Sequence, residues 1–284
     1  MLKKINYFFQ AIIIYLLFII GRLIGINIAR KIFSYLFLSV GPLFKSKKII
    51  ENNLKIFSDK LTDSEREKII NGMWKNYGMT FIEYIYLDYF KKNNSLVSAK
   101  GSENIISLTD NKPVIFVSGH FANFELMSME IRKRKIKLAT IYRPLNNFFL
   151  NPFMEFLRKK YICENQIKKG IHGVKETINF IKKNHSIALM IDQRVSEGDE
   201  IKFFKRKALT TTLPAQLSKK FNLKIVPVFL KRNFNGKFEL EFLEELDPKN
   251  FKNKLDLTEK LNAVLENMVI KNPNQWIWTH NRWK

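Results

Sequence analysis

One histidine of this chain stands where a catalytic base would be useful. The apolar run Pro113-Val114-Ile115-Phe116-Val117 reads as a buried strand and leads directly into Ser118-Gly119-His120-Phe121-Ala122-Asn123-Phe124-Glu125. In open α/β sheets, reactive groups gather at the carboxyl ends of strands, and His120 occupies such an end. An imidazole can take a proton from a hydroxyl when a carboxylate on its other nitrogen fixes the tautomer. On one continuous ideal helix His120 and Glu125 would lie about 140° apart. They meet only if His120 sits in the turn and Glu125 faces back from the first helical turns, and Gly119 eases such a turn. The spacing therefore predicts His120 as general base and Glu125 as the acid that orients it. A histidine near a helix start also serves as a cap or a packing residue, and this spacing occurs by chance, so other residues must decide.

Two more strand ends carry polar groups. Tyr142-Arg143-Pro144-Leu145-Asn146 closes the run Ile136–Ile141, and Asp192-Gln193-Arg194 closes the run Ile187–Ile191. Taken singly, Arg143 could be a solvated loop residue and Asp192 a turn cap. Together with His120 they predict a polar pocket on one sheet edge, with Asn123, Arg143, Asp192, Gln193 and Arg194 as candidate substrate-binding residues. Phe203-Phe204-Lys205-Arg206-Lys207-Ala208 reads as a basic loop leading through Thr210-Thr211-Thr212 to a helix with Pro214 in its first turn. Such a helix start favours anionic groups such as phosphate.

The elements that must position these residues follow from periodicity. Ile225–Leu230 and Phe238–Phe242 join the three runs above as strands. Phe124–Arg134, Phe148–Lys160, Val174–Lys183, Pro214–Phe221 and Leu257–Lys271 read as helices. The alternation predicts an α/β fold with a central mixed, largely parallel sheet flanked by helices. Residues 50–92 read as helical, with Thr62-Asp63-Ser64-Glu65 supplying a cap and first-turn acids.

At the N-terminus, Lys3 and Lys4 precede an apolar run from Ile5 to Ile20, and apolar residues resume beyond Arg22 up to Val40. No small-residue cleavage site follows the run, which argues against a removed signal peptide. Arg22, Arg30, Lys31, Lys45, Lys47 and Lys48 flank or interrupt the segment and read as side chains reaching anionic headgroups. Residues 1–44 are thus expected to form a membrane anchor, either one tilted span or an interfacial hairpin. Residues 45–284 form the catalytic domain, with a helical lead-in at 45–95 and the α/β core at 96–284.

The chain has 284 residues, 46% of them hydrophobic, and a formal net charge of +23. That charge suits an anionic membrane surface, nucleic acid or an acidic protein, although the excess of Lys over Arg also fits a simple compositional bias. No zinc-finger spacing, aromatic RNA-binding signature or sustained basic helix supports a nucleic-acid partner. The single cysteine, Cys163, reads as a buried, inert thiol. No histidine has a ligand partner at metal-site spacing, so no metal and no cofactor are expected. His172 and His185 read as surface or capping residues.

The ordered set of motifs resembles the lipid A biosynthesis lauroyl and myristoyl acyltransferases, within the wider lysophospholipid acyltransferase superfamily. The resemblance rests on His120-x-x-x-x-Glu125, Tyr142-Arg143-Pro144, Asp192-Gln193, Phe203-Phe204 and the closing Gln275-Trp276-x-Trp278-x-His280-x-Arg282-Trp283. It implies transfer of a fatty acyl group from an acyl carrier protein thioester to a hydroxyl of a lipid A precursor. It also implies a bacterial inner membrane location, with the catalytic domain facing the cytoplasm. On that reading Arg143 holds a phosphate of acceptor or donor, and Asp192 positions either Arg143 or the acceptor sugar. His280, within the closing motif, reads as structural. Arg194 stands where many members have Asp, and Lys205 and Pro214 stand where glycine is common. Another lipid acceptor, such as a lysophospholipid or an ornithine lipid, is the nearest alternative, and a non-catalytic basic membrane or nucleic-acid-binding protein is the more distant one.

Overall fold

A computed structural model describes residues 2–284, apart from the side chains at positions 104, 106, 107, 110 and 111, so position 1 of the expected anchor lies outside the described residues. The chain begins with α1 (Leu2–Leu23) and α2 (Ile26–Phe44), which turn on Gly25 at φ +79°. Three more helices follow, α3 (Lys47–Phe57), α4 (Asp63–Glu83) and α5 (Leu87–Lys92). The core then runs β1 (Val97–Lys100), α6 (Ser102–Asn111), β2 (Ile115–Ser118), α7 (Glu125–Lys133), β3 (Leu138–Tyr142) and α8 (Asn151–Leu157). A wide helical turn, Arg158–Ile162, leads from α8 to β4 (Asn165–Lys168), α9 (Ile171–Lys182) and β5 (Ser186–Met190). It ends with β6 (Asp199–Phe203), β7 (Arg206–Thr210), α10 (Leu213–Phe221), β8 (Ile225–Arg232), β9 (Phe238–Phe242), α11 (Lys254–Lys271) and an irregular tail.

Seven strands form the main sheet in the order β1-β9-β8-β2-β5-β3-β4. The five from β8 to β4 are mutually parallel, and β9 pairs antiparallel with β8. Parallel strands covered on both faces read as continuous apolar runs, which is why β2, β3, β5 and β8 stand out in the sequence. Alternate residues of β2 divide between the two layers: Phe116 packs into one, Ile115 and Val117 into the other. The two edge strands, β1 and β4, are four residues long and largely polar, Val-Ser-Ala-Lys and Asn-Gln-Ile-Lys. An edge strand faces water along one side, so it lacks the apolar run that reveals a central strand.

The expected long helix over 50–92 is broken into α3, α4 and α5. Thr62 caps α4: its Oγ1 accepts the Glu65 N–H at 3.3 Å, and Glu65 Oε2 accepts the Thr62 N–H at 2.8 Å. Such a reciprocal cap stabilises a helix by about 1 kcal/mol. The basic segment 203–208, expected to be a loop, is a tight hairpin between β6 and β7. Its two central residues, Phe204 and Lys205, have φ +50° and +61°, the backbone of the two-residue turn that follows strand twist.

The two N-terminal helices behave differently. One face of α1 touches the body through Ala11, Phe18 and Gly21, while Phe9, Ile13, Leu16 and Ile20 face outward. It is long and apolar enough to cross a membrane by length and composition. Helix α2, in contrast, docks tightly on α4, and at their crossing a Cβ on Gly78 would lie 2.0 Å from the Phe33 carbonyl oxygen. Arg30 of α2, read in sequence as a headgroup contact, turns inward instead. It is 9% exposed and its Nε donates to Glu83 at 2.6 Å. A guanidinium inside a helix is satisfied equally by a buried acid, and periodicity along α2 does not reveal an acid on α4.

Candidate active site

Strand β2 lies between β5 and β8, and Ser118 of β2 is in register with Met190 of β5. Continuing both strands by two residues sets His120 beside Asp192. The Ile191 N–H donates to the Ser118 carbonyl at 2.9 Å, so the two chains stay paired beyond the regular strands. His120 Nδ1 stands 2.7 Å from Asp192 Oδ1, and the His120 backbone N–H donates to Asp192 Oδ2 at 2.7 Å. Trp276 Nε1 donates to the same Oδ2 at 2.9 Å.

These contacts correct the expectation for Glu125. It begins α7 and accepts from Tyr84 Oη and from Arg158, with Nε at 2.8 Å and Nη2 at 2.6 Å. The ring nitrogen of His120 goes to Asp192 because their strands are adjacent, while Glu125 is taken by the guanidinium of Arg158. Asp192 is correspondingly not free to touch substrate. It is 1% exposed and fully engaged by His120 and Trp276.

The turn bearing His120 is held from several sides. The phenyl of Phe124 stands edge-on to the imidazole at 4.6 Å between centroids. Gly119 is needed for space, because a Cβ there would come within 2.8 Å of the Phe121 ring and 2.9 Å of Leu265. The left-handed residue is Ala122, at φ +47°, a conformation costing an L-residue roughly 1–2 kcal/mol. Its carbonyl accepts from Thr80 Oγ1 at 2.9 Å and Asn76 Nδ2 at 3.4 Å, and its N–H donates to the Gln275 carbonyl at 3.2 Å.

Asn123 is also corrected. It is 0% exposed, and its Nδ2 donates to Glu83 Oε2 at 3.0 Å, so it lies behind the turn and not on the substrate side. Glu83 joins four elements: it takes Asn123 from the turn, Arg30 from α2, and both terminal nitrogens of Arg232 from β8. Burial, countered in part by Glu83, holds the Arg232 guanidinium below its ordinary value, and the nearby charge of Arg30 lowers it further. With both arginines on it, the Glu83 carboxyl stays below the usual carboxylate range despite its burial. Sequence reading missed this network. Its one visible signal is an acid, Glu83, inside the otherwise apolar run Phe81 to Leu87.

In front of His120 lies a cavity of about 540 Å³. Its apolar wall includes Met127, Leu189, Met190 and Leu213, and its cationic lining is Lys45, Arg143, Arg158 and Lys169, against one carboxylate among the described residues, that of Glu125. Arg143 and Gln193 line this cavity. Arg194 does not: its backbone N–H donates to His280 Nε2 at 2.8 Å. That bond makes His280 a neutral acceptor, and burial lowers its pKa in the same sense. Arg158 Nη1 is buried with no hydrogen-bond partner among the described residues. Lys169 is held below the ordinary lysine value, first by desolvation and then by the charge of Arg143.

Burial alone would keep the His120 ring neutral, but the charge and hydrogen bond of Asp192 outweigh it, so its pKa is raised. The same contacts, with the backbone N–H and Trp276, lower the pKa of Asp192 against its own burial. Nε2 has no hydrogen-bond partner among the described residues. The arrangement is a tautomer-fixed imidazole facing a cavity with an apolar wall and a positive lining, suited to accepting a proton from a hydroxyl. Cys163 is buried, and burial pushes its thiol up to about 11, which makes it a poor nucleophile.

The closing motif braces this edge. The Gln275 amide clamps the Arg232 backbone from both sides at 2.8 Å, and Asn53 Nδ2 donates to the carbonyls of Trp278 and His280. Arg282 and Trp283 fasten the tail to the β6–β7 hairpin through Leu209, Thr210 and Phe203. Trp276, which reaches Asp192 itself, belongs to the site.

A family model described as bacterial lipid A biosynthesis acyltransferase matches residues 1–284. The lipid A biosynthesis lauroyltransferase of Escherichia coli (strain K12) is 24% identical over 249 residues, 84% of this chain and 78% of that protein. The palmitoleoyltransferase of the same strain is 22% identical over 256 residues, 86% and 80% respectively. Among solved structures, the 1-acyl-sn-glycerophosphate acyltransferase PlsC from Thermotoga maritima aligns with a TM-score of 0.44 and 14% identity, over 89% of this chain and 100% of that one.

Proposed function

Since the chain belongs to the bacterial lipid A biosynthesis acyltransferase family and is therefore an O-acyltransferase, we propose that it moves a fatty acyl group from an acyl carrier protein thioester to a hydroxyl of a lipid A precursor. His120 is the general base. As the acceptor oxygen attacks the thioester carbonyl, its proton passes to Nε2, and the carbon–sulfur bond then breaks as the tetrahedral adduct collapses. The leaving thiolate takes the proton back from the imidazolium. Asp192 orients the ring and stabilises its charged form, the role first assigned to Glu125. General-base assistance of this kind is worth about 10²–10⁴ in rate.

The cationic lining supports an acceptor that is both anionic and acylated. Arg143 carries a forked, permanently charged group suited to phosphate, and the Arg158 guanidinium, which also lines the cavity, contributes fixed positive charge toward the oxyanion that develops on the carbonyl. Glu125 then holds Arg158 in place. Gln193 and Lys169 complete the polar side of the cavity. The site works at an inner-membrane surface facing the cytoplasm, where an acidic carrier protein and an anionic membrane are drawn to the same positive face.

The observation that carries this reading is the His120–Asp192 pair opening onto a cavity with both apolar and cationic walls. The test is product analysis by mass spectrometry with a hydroxyacylated, phosphorylated glucosamine disaccharide and acyl carrier protein thioester, comparing wild type with His120→Ala. Wild type should add one acyl chain and the variant should not. Turnover of the variant near the wild-type rate would remove His120 from the mechanism, and acylation of a lysophospholipid in preference to the disaccharide would change the acceptor.

A further inference from the structure

Four large apolar side chains stand exposed on the segment that follows β3. Leu145 is 40% exposed, Phe148 48%, Phe149 38% and, on α8, Phe156 52%. Loops of soluble surfaces are normally polar, and a contiguous apolar patch marks a partner or a membrane.

This segment is fastened to α1. Asn147 Nδ2 donates to the Tyr7 carbonyl at 2.8 Å, and Tyr15 Oη donates to the Phe149 carbonyl at 2.9 Å. Rings continue the contact, Tyr7 with Phe148 at 6.0 Å, Phe8 with Phe149 at 5.5 Å and Tyr15 with Phe153 at 5.6 Å. From Tyr7 to Tyr15 the seam covers about 12 Å of helix at about 1.5 Å per residue. The loop keeps its exposed rings even with α1 in place, so gripping α1 does not account for them. Whatever solvent surrounds the outward face of α1 must also surround the loop stapled along it.

The rim of the patch is basic. Lys160 lies 5.2 Å from the Phe156 ring, Lys3 lies 5.7 Å from the Tyr7 ring, and Lys159 and Arg143 are exposed nearby in sequence. Aromatic rings ringed by lysines match the headgroup region of an anionic bilayer.

From this we infer that the membrane-seating surface extends beyond the N-terminal helices to residues 145–156, which sit in an anionic lipid bilayer together with α1. Leu145 and Arg143 also line the cavity before His120, so the seated loop sets the cavity mouth at the bilayer. A lipid acceptor can then reach the site sideways. That last consequence rests on the acyltransferase reading; the seating itself does not.

Site-directed spin labelling of the full chain tests this. Cys163 is buried, so a nitroxide can be placed selectively at Phe148→Cys, Phe156→Cys, Ile13→Cys on α1, or at the exposed Lys182→Cys that ends α9, just before the amino end of β5. In vesicles of phosphatidylcholine and phosphatidylglycerol, labels at 148, 156 and 13 should collide with oxygen more often than the label at 182. They should also collide several-fold less with a water-soluble nickel chelate. Nickel access at 148 and 156 equal to that at 182, with 13 protected, would overturn the inference and leave α1 as the membrane element. Protection at 148 and 156 that persists in detergent with dipolar broadening would assign the face to a second copy of the chain and overturn it as well. Neither reading depends on acyl transfer, so a failed activity assay and a failed seating experiment remain distinct.

Discussion

Asp192 meets His120 twice, at the ring through Oδ1 and at the backbone N–H through Oδ2, both at 2.7 Å. A carboxylate bound in this way fixes the position of the turn as well as the tautomer of the imidazole. Trp276 makes a third contact on the same group, which ties the last segment of the chain to the His120–Asp192 pair.

The pair predicts a shifted pH profile. A general base must be neutral, and Asp192 raises the pKa of His120 against the effect of burial. The acidic limb of kcat/KM, which reports the free enzyme, should therefore lie above the ordinary histidine value of about 6.5. In Asp192→Asn burial becomes the leading influence on the ring, with the smaller charges of Glu125 and Arg158 acting in opposite directions, so the limb should move to lower pH while the plateau falls about 10²–10⁴-fold. A variant whose limb stays in place would show that His120 is not the group being titrated.

Glu83 should matter for folding more than its distance from substrate suggests. Its loss leaves Arg30 and Arg232 buried together with no counter-charge, and breaking a buried pair in this way costs about 3–5 kcal/mol. Glu83→Gln should lower the melting temperature and the yield of folded protein, and Asn123→Ala should do so less. A Glu83→Gln protein that melts with wild type would mean that water reaches the two guanidiniums.

Arg143→Ala should raise KM for the phosphorylated substrate about tenfold or more, the worth of a hydrogen bond to a charged group, with kcat nearly kept. Arg143 is exposed and makes no ion pair with a described residue, so stability should not move. An unchanged KM for both donor and acceptor would take Arg143 out of substrate binding.

Lys205 occupies a left-handed turn position at φ +61°, where glycine has no steric penalty. Lys205→Gly should stabilise the β6–β7 hairpin by about 1 kcal/mol, seen as a rise of about 2–4 °C in melting temperature. A fall would indicate that Lys205 makes a contact beyond its backbone role.

How much could be read along the chain differs by element. Central strands were legible because burial on both faces leaves an unbroken apolar run, as in Ile115-Phe116-Val117. The edge strands β1 and β4 and the β6–β7 hairpin were not, because half-solvated strands carry polar residues such as Asn165 and Lys202. Arg143 and Gln193 were legible as cavity residues, since each follows a recognisable strand. Asn123 was misread: standing next to a reactive motif says nothing about which way a side chain points.

The sequence by itself determined that a buried strand ends in His120, that acids and arginines end its neighbours, and that the first helix is apolar enough for a membrane. Only the tertiary structure decided that Asp192 and not Glu125 holds the imidazole, because strand order in a parallel sheet is set by how helices pack across it and leaves no periodic trace. The same holds for Arg30 and Glu83, 53 positions apart in the chain. Two charges become partners only when their helices dock closely enough to exclude water, and that closeness comes from Gly78, five residues before Glu83 on α4, where it meets the Phe33 backbone of α2.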